Sequence, residues 1–103
     1  MRGQPTLIEE LQAWYVRECN GDWEHSFGVK IETLDNPGWL VTIDLAETDW
    51  EDLELARQID ERRETDWVQH EVSDRKFVGC GGPSNLEEIL RTFFRVVGQP
   101  GTG

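Results

Sequence analysis

A chain of 103 residues holds one compact domain and no more. It carries 21 acidic and 10 basic side chains, for a formal net charge of -11. That balance excludes holding a phosphate backbone or an anionic lipid surface by charge, since both need clustered Lys and Arg.

Residues 1–5 read as a flexible N-terminus. Thr6 with Glu9 then forms a capping box, in which a hydroxyl and a carboxylate each satisfy an orphan backbone N–H. Leu7, Leu11, Trp14 and Tyr15 fall on one helical face, and Asn20-Gly21 is a natural stop. A hairpin follows. Phe27, Val29, Ile31 and Thr33 alternate with polar neighbours, and Trp39, Val41, Ile43 and Leu45 do so beyond the turn. Asp35-Asn36-Pro37-Gly38 supplies the turn chemistry between them.

Glu47 to Asp52 reads as a polar loop interrupted by Trp50. Leu53, Leu55, Ala56 and Ile59 suit a helix about as well as a strand. The flanking strands favour a strand over part of residues 53–64. Trp67, Val68, His70 and Val72 mark another strand, and Lys76 to Cys80 a short one after an Asp74-Arg75 turn. Leu86, Ile89, Leu90, Phe93, Phe94 and Val97 then give the clearest helical stripe, capped by Ser84 or Asn85. Residues 98–103 read as a frayed tail. The expectation is one domain over residues 6–97, of the α+β class: an N-terminal helix, an antiparallel meander sheet of four to five strands and a C-terminal helix, in two layers.

No apolar run approaches the ~20 residues of a membrane helix, and no apolar stretch follows the first residues to make a secretory signal. Two cysteines, Cys19 and Cys80, make no disulfide framework, so a cytoplasmic protein with reduced thiols is expected.

The charge is uneven. Residues 21–52 carry nine acids (Asp22, Glu24, Glu32, Asp35, Asp44, Glu47, Asp49, Glu51 and Asp52) and one base, Lys30, which is -8 of the -11. Like charges so crowded repel one another. A solvated face for solubility is the plain reading. The sharper one is complementarity to a cationic protein, such as a nucleic-acid-degrading enzyme with a basic cleft. Trp23 lies in Asp22-Trp23-Glu24 and Trp50 in Asp49-Trp50-Glu51-Asp52, and tryptophan is enriched at interface hot spots. For Trp39 and Trp67, on strands, covering the core is the preferred reading. For Trp50 the two readings stand level, and for Trp23 the core is favoured.

Chemistry is thin. His25 and His70 with Cys19 and Cys80 lack metal-site spacing, so neither a metal nor a cofactor is expected. A Cys80–His70 pair is conceivable across adjacent strands, but acidic surroundings raise a thiol pKa, and Cys80 reads better as a small buried residue. Gly79-Cys80-Gly81-Gly82-Pro83 lacks a phosphate-binding pattern and reads as a tight turn into the helix. No catalytic residue is assigned, and the chain is read as no enzyme.

Leu11-Gln12-Ala13-Trp14-Tyr15, Cys19 to Gly28, Ile31 to Trp39, Asp66-Trp67 and Gly81 to Leu90 together resemble the immunity protein 53 family, over about residues 7–97. Residues matching its motif are Trp14, Trp23, Glu24, Gly28, Asn36, Pro37, Gly38, Trp39, Trp67, Gly81 and Gly82. The resemblance implies an immunity protein of a bacterial polymorphic toxin system, which neutralises a cognate toxin by binding it. The expected partner surface is Asp22, Trp23, Glu24, Glu47, Asp49, Trp50, Glu51 and Asp52, with Trp14, Asn36, Pro37, Gly38, Trp39, Trp67, Gly81 and Gly82 in structural roles. The other readings are a small hydrolase using His25 or His70 with carboxylates, and an acidic nucleic-acid mimic. Oligomeric state is left open.

Overall fold

The computed structural model describes residues 5–98, so most of the expected N-terminal segment and tail lies outside the described residues. Helix α1 (Leu7–Glu18) opens in the capping box: Thr6 Oγ1 accepts from the Glu9 N–H at 3.0 Å and Glu9 Oε1 from the Thr6 N–H at 2.9 Å. It ends at Cys19, just before Asn20-Gly21, and Gly21 then takes a φ of 96°. A single turn, α2 (Trp23–Ser26), follows, too short for any periodicity to announce it. Asn20 Oδ1 seats it by accepting from the N–H groups of Asp22 and Trp23.

Strands β1 (Val29–Leu34) and β2 (Gly38–Asp44) form the expected hairpin in unbroken register, from Val29 opposite Ile43 to Leu34 opposite Gly38. The Asn36–Pro37 peptide between them is cis. Strands β3 (Leu55–Arg63), β4 (Asp66–Ser73) and β5 (Lys76–Gly81) and helix α3 (Leu86–Gly98) complete the domain. The ambiguous segment is thus a strand.

All strand pairs are antiparallel, but spatial order departs from chain order: β1-β2-β5-β4-β3. The loop 45–54 carries the chain from β2 to the far edge, and β4 and β5 return inward until β5 pairs with β2. Burial explains this order. Val41 and Ile43 on β2 and Phe77 on β5 are fully buried, whereas β3 is exposed along nearly its whole length. The most apolar strands take the centre and the most polar one takes an edge, which also protects that edge.

Both long helices lie on one face of the sheet. Ile89, Leu90, Phe93 and Val97 of α3 and Trp14 of α1 pack onto Val41, Ile43, Val68, Val72 and Phe77. Tyr15, expected inward with Leu11 and Trp14, is 40 % exposed, because the buried stripe of α1 is narrow. Glycine permits close approach at two places. A Cβ on Gly79 would sit 2.8 Å from Ile89 Cγ2, so α3 rests directly on β5. A Cβ on Gly82 would sit 2.5 Å from the Thr65 carbonyl oxygen and 2.8 Å from Asn85 Oδ1. Gly82→Ala is therefore expected to cost about 1–3 kcal/mol, read as a lowered urea midpoint with an unchanged slope. An unchanged midpoint would show that the β4 turn yields freely.

Candidate protein-interaction site

Six of the nine acids of residues 21–52 lie on the segments around one end of the sheet, whereas Glu32 and Asp35 lie on β1 and in the turn at its other end. The loop after β2 folds on itself: Thr48 Oγ1 donates to the Leu45 carbonyl at 2.7 Å and accepts from the Trp50 N–H at 3.1 Å. Glu51 Oε1 accepts from the N–H of Glu47, whose φ is 61°. Trp23 ties α2 to this loop, its Nε1 donating to the Ala46 carbonyl at 2.9 Å. Asp22, Glu24, Glu47, Asp49, Glu51 and Asp52 are thereby held on neighbouring segments. Glu18 joins them. Burial pushes its carboxyl pKa up, and the Asp49 charge pushes the same way against the pull of Arg17.

Among the described residues, none of these acids has a Lys or Arg within ion-pair distance. Of the nine acids between residues 21 and 52, Asp44 alone is paired there, with Lys76 at 3.8 Å. Glu24 is stabilised as an anion by backbone N–H groups, its own and those of Asn20 and Gly21, which hold its pKa low. Arg57, Arg62 and Arg91 are engaged elsewhere. Arg62 on β3 contacts Asp60 and Asp66 at 2.8 Å and Glu88 at 2.7 Å.

That Arg62 hub clamps β3 and β4 to the start of α3. Its hydrogen bond, with one from Asn85 Nδ2, lowers the Asp66 pKa to about 2 from an unperturbed 3.8, and Glu88 is also lowered. A carboxyl depressed in the folded state stabilises above its unfolded pKa and loses that contribution as pH falls through the folded value. Arg62→Met is therefore expected to lower the melting temperature at pH 7, with the gap from wild type closing as pH falls from 4 toward 2. A gap that persists at pH 2 would show that Arg62 acts by packing alone.

The tryptophans divide sharply. Trp23 is 1 % exposed and meets Trp14 edge-on at 5.8 Å, so it belongs to the core and is withdrawn from the surface a partner reaches. Trp50 is half-buried, 6.4 Å from the Trp14 ring, and presents only part of its indole among the acids. Trp39 packs against the core and donates from Nε1 to the Pro83 carbonyl at 2.9 Å. A family model described as immunity protein 53 matches residues 8–98.

The chain belongs to the immunity protein 53 family. No curated protein and no solved structure matches it. Of the residues expected to match the family motif, Asn36 and Pro37 lie in the β1–β2 turn and Gly38 opens β2, while Gly81 and Gly82 approach the Trp67 and Thr65 carbonyls and Asn85. Trp67 corrects an expectation, for it covers no core. Val68 and Val72 face the helices, so Trp67 shares the opposite, open face of the sheet with Gln69 and Glu71. The alternation that shows this was present in the sequence. Cys80 likewise lies half-buried on the open face, opposite Gln69, instead of in the core.

That placement separates the groups an enzyme would need. His70 lies opposite Gly79 on the helix face and Cys80 on the other, so they cannot form a dyad. His70 stacks on Phe77 at 6.0 Å, and burial, then the Arg95 charge, pushes its pKa down. It lines a groove of about 970 Å³ between α3 and β3 whose carboxylates, Asp60 and Glu88, are held by Arg62. His25 is exposed on α2. Among the described residues no three His, Cys, Asp or Glu are grouped to hold a metal ion, and no helix is long and apolar enough to cross a membrane.

Proposed function

We propose that this immunity protein neutralises a cognate bacterial polymorphic toxin by binding it, and that acids of α2 and of the loop 45–54 cover a basic, nuclease-like surface of that toxin. The observation that carries the reading is the unpaired state of these acids. Asp22, Glu24, Glu47, Asp49, Glu51 and Asp52 gather at one end of the sheet with no Lys or Arg of the described residues bridging them. Such a cluster costs folding stability through self-repulsion and creates a field that draws in a cation-rich partner. Half-buried Trp50 lies among the acids, where a partner can desolvate its exposed edge.

The acids act by charge, so neutralisation is stoichiometric occlusion and needs no chemistry from this chain. Co-expression with the C-terminal domain of the neighbouring toxin gene tests this. Growth is expected to be restored, and the two chains are expected to co-purify as a complex. A toxin that stays lethal, or a rescue without a complex, would overturn the reading.

A further inference from the structure

The acidic end offers charge but little apolar anchor, because Trp23 is consumed by the core and Trp50 is partly covered. Specific interfaces draw most of their affinity from a few desolvated aromatic or aliphatic groups, and charge mainly sets the rate of encounter. The open sheet face holds what the acidic end lacks. Strand pairing places Trp67, Ile59, Leu34, Leu40, Val78 and Cys80 on the side away from both helices, and none of them belongs to the core. Ile59 is 56 % exposed on the edge strand, where it pairs with Gln69 of the open face and also borders the groove between α3 and β3. Among the described residues, the Nε1 of Trp67 has no protein acceptor, unlike those of Trp23 and Trp39. A hollow of about 600 Å³ lies beside Trp67, walled by Asn36, Gln69, Glu61, Glu64, Arg63 and Arg62, the last of which is held by Asp60, Asp66 and Glu88.

Charge decides what covers this face. Glu32 and Glu61 stand on it, and Asp35 and Glu64 occupy the turns at the same end, which outweighs two bases without an ion pair among the described residues, Lys30 on the same face and Arg63 beside the hollow. None of the four is bridged by a cation among the described residues. A second copy of this chain would set those acids against their own likenesses, whereas a cationic partner finds an apolar centre with a complementary rim. We infer that the open face around Trp67 and Ile59 is an apolar anchoring surface for the same cationic toxin. This rests on the reading above and divides the work: acids near Trp50 accelerate approach, and the Trp67 face slows departure. Trp67 lies about 20 Å along the strands from the acidic end, at ~3.3 Å per residue, within the breadth of one interface of ordinary size.

Binding kinetics of the inactivated C-terminal domain of the neighbouring toxin separate the claims. Ile59→Gln changes an exposed edge-strand residue and leaves the core untouched; Trp67→Ala is the stronger variant, accepted only if its melting curve stays cooperative. Each is expected to raise the dissociation rate at least about tenfold, with the association rate changed less than about threefold. A dissociation rate unchanged by Ile59→Gln, with tight binding retained, overturns this inference alone. Absence of wild-type binding overturns it together with the proposed function. Sedimentation of the free protein as a dimer that Ile59→Gln dissociates would assign the face to a second copy, and also overturn it.

Discussion

Trp14→Ala is expected to destabilise the domain by about 3–5 kcal/mol, the usual cost of emptying a large aromatic site. That is a large share of the ~5–15 kcal/mol holding a small domain together, so much of the variant should be unfolded near 37 °C. Trp14 is 1 % exposed and is the ring on which three parts of the molecule converge: Trp23 from α2, Trp50 from the acidic loop and Phe93 from α3, at 5.8, 6.4 and 5.2 Å. Its removal loosens the loop and the helix layer together. Its buried Nε1 has no hydrogen-bond partner among the described residues, so that atom makes no hydrogen bond there that phenylalanine would lose. Trp14→Phe is accordingly expected to cost no more than about half as much. Urea denaturation of both variants checks this. Equal losses would mean that the indole N–H, and not the ring volume, matters.

Asp49→Lys with Asp52→Lys is expected to slow association with the toxin roughly 10- to 100-fold at low salt. Both side chains are exposed and form no ion pair among the described residues, so reversal removes attraction without breaking a salt bridge there. Glu51 is spared because its carboxylate accepts from the Glu47 N–H and shapes the loop. The difference should shrink toward 1 M salt, where the screening length falls to ~3 Å. Relief of like-charge repulsion should leave the free protein at least as stable as wild type. Stopped-flow association across a salt series measures the effect. A salt-independent rate equal to that of wild type would remove these aspartates from the interface.

The two long helices and the β1–β2 hairpin were legible because their signals are local. Capping at Thr6 and Glu9, a period near 3.6 from Leu86 to Val97, and alternation through Val41 and Ile43 each need only a few neighbouring residues. The -8 of residues 21–52 was equally legible, being a property of the chain alone. The sequence by itself thus determined the element types, the two-layer class and where charge is concentrated.

Tertiary structure decided the rest. Competition for burial among five strands placed β5 beside β2 and sent β3 to the edge, and no single strand contains that comparison. The same competition sorted the tryptophans. Trp23 lies between acids, where the sequence favoured the core reading without settling it; its ring closes against Trp14 and its N–H reaches Ala46, 23 positions away. Trp67 looked like a core residue because it sits in an apolar strand, yet the pleat turns it outward once Val68 faces α3. Side-chain identity sets what burial is worth, but which side of a sheet receives the helices is a property of the assembled fold.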